Sequence, residues 1–265
     1  MGLFDDYETL AFSREGRILT ITMNLPDTLN AMNGQLHAEM SRVFIDANED
    51  PDSDIVVLTG AGRCFSAGGD INWMQEAVDN PAAFKRTAIE GKRILFSQLD
   101  LEKPLIGRVN GHAMGLGASL ALCCDVAIAS ENAKIGDPHV AVGLVAGDGG
   151  ALLWPQMVGY MRAKEYLLTG DPIPAPEAAA MGLLTRTVPD DKLDDEVYGL
   201  ARRLAAGATQ AIRYTKVVTN LALKQVVHAH ADAGIGYEIL TNETKDHAEA
   251  VAAFRDKRKP TFTGS

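Results

Sequence analysis

Two short stretches near the start of the chain alternate apolar and polar positions or run apolar throughout. Glu8-Thr9-Leu10-Ala11-Phe12-Ser13 and Ile18-Leu19-Thr20-Ile21-Thr22-Met23 flank the turn Glu15-Gly16, and the pattern predicts two strands. Asn24-Leu25-Pro26-Asp27 ends the second. From Asn33 to Asn48 the period changes, and Leu36, Met40, Val43, Phe44 and Ala47 fall at helical spacing. Ile55-Val56-Val57-Leu58-Thr59 is a continuous apolar run, as expected of a strand covered on both faces. It leads through Gly60-Ala61-Gly62 to the turn Ser66-Ala67-Gly68-Gly69-Asp70 and a helix from Ile71. The theme then recurs: a strand from Pro104 to Val109, the turn Asn110-Gly111-His112, a small-residue helix from Met114 to Cys123, and a strand from Val126 to Ala129. A glycine-rich loop from Pro138 to Gly150 enters a helix near Leu152. Pro172, Pro174, Pro176 and Gly182 punctuate the chain again, and from about Lys192 it is alanine-rich and helical to Phe254. Strand-turn-helix units followed by a helical end predict an α/β core with a C-terminal helical appendage.

Composition narrows the partners more than the fold. The 265 residues carry a formal net charge of −10, which repels phosphate backbones and anionic lipid, so no nucleic acid and no membrane partner is expected. No apolar stretch is long enough to span a bilayer, and the acidic opening stretch does not read as a signal peptide. Cys64, Cys123 and Cys124 form neither a disulfide framework nor a metal-ligand spacing, so no metal is expected and a cytoplasmic location is the simplest.

The two glycine-rich turns are the candidate chemistry. In Cys64-Phe65-Ser66-Ala67-Gly68-Gly69-Asp70-Ile71, small residues let a ligand approach the main chain, and the helix start that follows leaves unpaired N–H groups. Asn110-Gly111-His112-Ala113-Met114-Gly115-Leu116-Gly117-Ala118-Ser119 again leads from strand to helix, where an N–H and the helix dipole favour developing negative charge. Each turn alone reads equally as close packing; two of them after buried strands point to an oxyanion site. Neither has the Lys-Ser/Thr ending of a P-loop, and Gly115-Leu116-Gly117 lacks the third glycine of a dinucleotide fingerprint.

These residues resemble the enoyl-CoA hydratase/isomerase, or crotonase, superfamily over nearly the whole chain. The similarity runs through Pro26 to Asn30-Ala31, Phe65-Ser66-Ala67-Gly68-Gly69-Asp70-Ile71, Asn110-Gly111 to Gly117, Cys124-Asp125, Gly143 to Gly149-Gly150, Leu168-Thr169-Gly170, Ala178 with Gly182-Leu183, and Phe254 with Lys257-Arg258-Lys259-Pro260. The resemblance implies an α/β fold with a crotonase-like spiral of ββα units over residues 1–195 and a helical trimerisation region over 196–265. It implies an acyl-CoA thioester substrate, with coenzyme A entering only as part of that substrate and no separate cofactor. A homotrimer or dimer of trimers is the implied assembly. It assigns the oxyanion N–H groups to Gly69 and Leu116, and the CoA contacts to Ala31, Ala67, Asp70, Ile71, Phe254 and Lys257, the last two often across a subunit boundary. Asp27 stands where hydratases often carry a lysine near CoA.

Hydratases of this family use two glutamates as acid and base, and the matching positions here are Ser119 and His139. Serine is a poor acid or base near neutral pH, but it can orient a water or a substrate group. An imidazole titrates near neutral pH and suits proton transfer. Asp148 lies nine residues beyond His139, close enough for a hairpin-like loop to bring it to the ring as an orienting carboxylate. The pair also resembles the arrangement in 6-oxocamphor hydrolase, a superfamily member that cleaves a C–C bond in a β-diketone through an enolate. That makes C–C hydrolysis the alternative activity, and a catalytically silent binding or assembly subunit the third. Trp73 and Met74 are candidates for the acyl pocket, with a core role equally open. His112 reads as a structural hydrogen-bonder, and His228, His230 and His247 as surface residues of helices.

Overall fold

A computed structural model describes residues 2–265. Strands β1 (Leu10–Glu15) and β2 (Ile18–Met23) form an antiparallel hairpin, with Leu10 opposite Met23 and Glu15 opposite Ile18. Beyond β2 the sheet is parallel, adding β3 (Ile55–Gly60), β4 (Leu105–Val109), β6 (Val126–Ser130) and β9 (Arg186–Val188) in the order β1-β2-β3-β4-β6-β9. A second sheet joins β5 (Ala113–Met114), β7 (Lys134–Gly136) and β8 (Ile173–Pro174).

Helices cover both faces of the main sheet, and the strands divide their side chains accordingly. Val56 and Leu58 of β3 join the large core with Leu36, Met40 and Phe44 of α1 (Gly34–Glu49), Ile94 and Leu95 of α3 (Pro81–Asp100) and Leu120 of α4 (Leu116–Leu122). Ile55 and Val57, pointing the other way, pack with Ile18, Ile106 and Ile128 against Leu193, Val197 and Ala201 of α8 (Leu193–Ala205). A strand buried on both faces has no polar alternate positions, which explains the unbroken apolar run of β3. The expected boundary between residues 195 and 196 falls inside α8, a helix that belongs to the sheet's packing.

Four more helices complete the core: α2 (Ile71–Asp79), α5 (Gly150–Val158), α6 (Tyr160–Thr169) and α7 (Ala175–Ala180). The chain ends in the long α9 (Thr209–Asn242) and α10 (Lys245–Arg255). Both fold back over their own chain, α9 across α3 and α5, and α10 against α2. No helix among the described residues is long and apolar enough to cross a membrane.

Candidate functional site

The two glycine-rich turns lie side by side because successive segments of the chain pair with one another. Met32 donates to Gly68 O at 2.7 Å and Asp70 donates to Met32 O at 3.0 Å, which lays residues 29–32 beside 66–70. Met114 donates to Ser66 O at 3.0 Å, and Gly115 donates to Gly136 O at 3.0 Å. Asn30 straps the first pair: its side chain accepts from Leu25 N at 2.9 Å and donates to Ala61 O at 2.9 Å and Cys64 O at 2.8 Å. Ser66 Oγ donates to Asn30 O at 2.8 Å.

This layering leaves two backbone donors outside the ladder. In the parallel bridge, Met32 bonds to the residues on either side of Gly69, so Gly69's own N–H is turned the other way. Leu116 is the first residue of α4, where an N–H has no carbonyl four residues back. Gly68 has φ +89 and lies against Met114 O and Gly115, and Gly115 has φ +53; L side chains rarely adopt such backbones. A Cβ on Gly115 would stand 3.4 Å from His139 Cε1 and 3.8 Å from Gly68 Cα, so the two turns and His139 meet at one point.

Gly69, Leu116, His139 and Asp148 line one pocket. Its apolar walls include Met32, Trp73, Met74, Ala77, Phe84, Leu144 and Ile235. Both Trp73 and Met74 therefore face ligand space. Its remaining polar side chains come from elements distant in sequence: His37 of α1, Thr87 of α3, Glu238 and Asn242 of α9, and His247 of α10.

His139 opens a 3-10 turn, His139–Val142, and is buried between two carboxylates. Its Nδ1 bonds Asp137 Oδ1, while Nε2 faces Asp148 Oδ2 at 3.5 Å. Burial opposes a charge on the ring, but the charges of Asp137 and Asp148 and their hydrogen bonds outweigh it, raising its pKa well above the ordinary imidazole value. This corrects the expectation of a histidine titrating near neutrality: the two carboxylates favour the charged ring. Nδ1 donates to Asp137, a residue that spacing arguments passed over.

Glu238 was also missed, because on α9 it reads as an ordinary charged helix residue. Burial first, and the Asp148 charge second, raise its pKa to about 8, so the carboxyl is largely protonated at neutral pH. His247, expected on a helix surface, is wholly buried in the pocket wall. Its Nδ1 lies 2.6 Å from Val142 O and must carry the hydrogen, since a carbonyl only accepts. Burial lowers its pKa and the His139 charge adds to that effect, so the ring is neutral.

Asp137, His139 and Asp148 are also the one cluster among the described residues with three metal-ligand atoms close together. The two carboxylates bond opposite nitrogens of one ring, whose lone-pair directions diverge. A single ion on either nitrogen would leave one carboxylate behind, so the arrangement suits an ion pair better than a metal.

Other expected site residues lie elsewhere. Ser119 is fully buried, and its Oγ sits against Gly149, where an added Cβ would come within 2.4 Å. It is not among the residues that line the pocket, and its Oγ has no hydrogen-bond partner. Ala31, Ala67, Asp70 and Ile71 lie along the paired 29–32 and 66–71 segments, outside the pocket lining. Asp70 caps α2 by accepting from Asn72 N at 2.9 Å and Trp73 N at 3.1 Å. Phe254 and Lys257 are exposed at the end of α10. Arg255 Nη1 donates to Gln75 Oε1 at 3.1 Å, tying this end of α10 to α2. His112 accepts from Lys134 N at 3.1 Å, a structural role.

Fold and pocket together set an α/β architecture with the first residue of a helix, a glycine turn, and a cluster of carboxyl groups and histidines around one cavity. A sequence model of the enoyl-CoA hydratase/isomerase family matches residues 13–265, and the chain belongs to that family. It is 33% identical over 257 residues to the crotonyl-CoA hydratase of Syntrophomonas wolfei, covering 97% of this chain and 98% of that one. Among solved structures it is similar to an enoyl-CoA hydratase/isomerase from Mycobacterium paratuberculosis, with a TM-score of 0.90 and 36% identity over 93% of this chain and 99% of that one. It is also similar to a β-diketone hydrolase from the cyanobacterium Anabaena, bound to (S)-3-oxocyclohexyl acetic acid. There the TM-score is 0.85 and the identity 34%, covering 91% of this chain and 96% of that one.

Proposed function

We propose that this enzyme forms and protonates the enolate of an acyl-CoA thioester, adding water to or eliminating it from the carbon chain. The observation that carries the reading is the convergence of the unused N–H groups of Gly69 and Leu116 with His139, Asp148 and Glu238 on one largely apolar pocket. In hydration, a water oxygen bonds the β-carbon and the Asp148 carboxylate takes a water proton. The electron pair moves through the double bond onto the thioester oxygen, between the two N–H groups. Glu238, a neutral acid at neutral pH, delivers its proton to the α-carbon. The His139 imidazolium, anchored by Asp137, holds the Asp148 carboxylate in place. The 29–32 and 66–71 segments and the end of α10 offer the surface for CoA.

A second reading is C–C hydrolysis of a β-diketone. It is favoured by the ion-paired histidine, by Asp27 at the position where hydratases often carry a lysine, and by the likeness to the Anabaena enzyme. The same groups serve it: water activated by Asp148 adds to one carbonyl, the C–C bond breaks, and the electron pair becomes an enolate on the other carbonyl. Glu238 protonates that enolate at carbon.

Turnover of an enoyl-CoA panel beside cyclic β-diketones separates the readings. Hydration lost in Asp148→Asn supports the first. Diketone cleavage without CoA binding by calorimetry replaces it with the second. Inactivity on both panels sinks the enolate assignment.

A further inference from the structure

The proposed chemistry leaves one histidine of the pocket unused. His37 lies in the first turns of α1, and its buried ring packs against Trp73 with centroids 5.1 Å apart. Its Nδ1 stands 3.1 Å from Oε2 of Glu90 on α3, and the other oxygen of that carboxyl lies 3.5 Å from Arg86 Nε. The His37 hydrogen bond outweighs burial and holds the Glu90 carboxyl below the ordinary glutamate range. Glu90 is therefore a carboxylate, and Nδ1 carries the hydrogen. Nε2 has no hydrogen-bond partner among the described residues, and unlike the sealed Nε2 of His247 it keeps accessible surface.

Gly91 marks where that surface opens. It sits in the interior of α3, where glycine is less favourable than alanine, and it lines the pocket together with His37, Thr87 and Ala88. A Cβ on Gly91 would meet a single atom of any other element, His37 Nε2 at 3.8 Å. The missing side chain leaves a space that Nε2 borders, and Thr87 borders it from one turn earlier on the same face of α3.

His139, in the same pocket, shows what such a ring accepts. Its Nδ1 bonds the Asp137 carboxylate, its Nε2 faces that of Asp148, and the two together favour the charged ring. His37 carries half of this arrangement: Glu90 takes Nδ1, and the place on Nε2 is open cavity. We propose that a free carboxylate on the substrate completes it, binding His37 as the imidazolium, at a carbon remote from the carbonyl that Gly69 and Leu116 receive. The substrate class is then a dicarboxylic acyl thioester, or under the second reading a diketone with a carboxylate side chain. The charges around the space permit it. Arg86 offsets Glu90, Asp148 is paired with His139, Glu238 is largely protonated and His247 is neutral. This inference rests on the pocket being the place where the carbonyl compound reacts.

The test uses matched probes: a medium-chain enoyl-CoA ending in a free carboxylate beside its methyl ester, and a cyclic β-diketone with a carboxymethyl side chain beside its methyl ester. The wild-type enzyme is expected to favour the acid of the pair it turns over by about 10–100-fold in kcat/KM, the range of a buried charge-assisted hydrogen bond. His37→Leu and Gly91→Ala are expected to bring the acid down to the level of the ester. Gly91→Ala adds a better helix former with ordinary van der Waals contact, so it keeps the fold. In the complex with the acid, NMR of the isotope-labelled ring should show hydrogens on both nitrogens of His37. Equal handling of acid and ester by wild type overturns the inference, as does full preference retained in either variant or a bare Nε2 in the complex. If neither pair is turned over, calorimetric binding to the wild-type protein decides. Tighter binding of the acid upholds the recognition and removes only the enolate reading; equal binding or none removes the recognition too.

Discussion

Asp137 and His139 stand two residues apart, and the Asp137 carboxylate grips His139 Nδ1 from the buried side of the ring. Asp137 is itself 1% exposed, and its Oδ2 lies so close to Gly150 that a Cβ there would come within 1.8 Å. Gly150 begins α5, so the buried carboxylate rests at a helix N-terminus as well as beside the His139 ring. Both carboxylates favour the charged form of the ring, whose Nε2 points toward Asp148.

Asp137→Asn keeps the shape and removes the charge. His139 then loses its largest charge-stabilising partner, and its pKa falls toward the ordinary imidazole value, measurable by NMR titration of the ring. We expect kcat to drop roughly 10²-fold or more with KM little changed, since the orientation of the ring rather than binding is lost. An unchanged ring pKa would refute the assignment.

Glu238 sets an alkaline limit. Its pKa in the folded protein is raised to about 8, so the proton-donating form is present below that pH and lost above it. Activity that uses this proton falls as pH rises through about 8, and Glu238→Gln should abolish most activity at all pH values. Stability follows the same sign: a raised folded pKa contributes stability fully present below the unfolded-state value near 4.3 and lost as pH rises through about 8. Thermal unfolding at pH 6 and pH 9 should therefore show a larger decline in wild type than in Glu238→Gln.

Gly115→Ala places a side chain at φ +53 and within van der Waals contact of the His139 ring. The backbone strain costs about 1–3 kcal/mol. Because Leu116 N–H follows directly, kcat should fall by more than the loss of stability explains. Denaturant unfolding and steady-state kinetics on the same preparation check both parts.

Asn30→Ala removes one acceptor and two donor bonds from a residue with no exposed surface, and it puts alanine at φ +54, where asparagine is better tolerated. A loss of about 2–4 kcal/mol is expected from urea unfolding. Activity per folded molecule should also decline, since this side chain holds the 29–32 segment against Gly68 and Gly69.

The α/β fold was legible along the chain where a single period dominates. The bounds of β2, the two-sided burial of β3 and the course of α1 and α2 follow from local patterns, because each buries a regular set of side chains. The family was legible because many short motifs keep their order. Strands β7, β8 and β9, of two or three residues, are too short to show a period. Helix α3 escaped notice because it serves two surfaces, packing Ile94 and Leu95 into the core while Phe84, Thr87 and Ala88 line the pocket. Its Pro81 at the first turn and the spacing of Ile94, Leu95 and Leu99 were the available signals.

The sequence by itself determined the turns that place Gly69 and Leu116, since glycines at positive φ are a local requirement of the backbone. It also singled out His139 as a candidate. Only the tertiary structure decided what surrounds that histidine. Asp137, Glu238, Asn242 and His247 span more than a hundred residues, and they meet because α9 and α10 fold back over the pocket. Their protonation is a property of that meeting: charge and burial act through space, and no spacing in the chain encodes them.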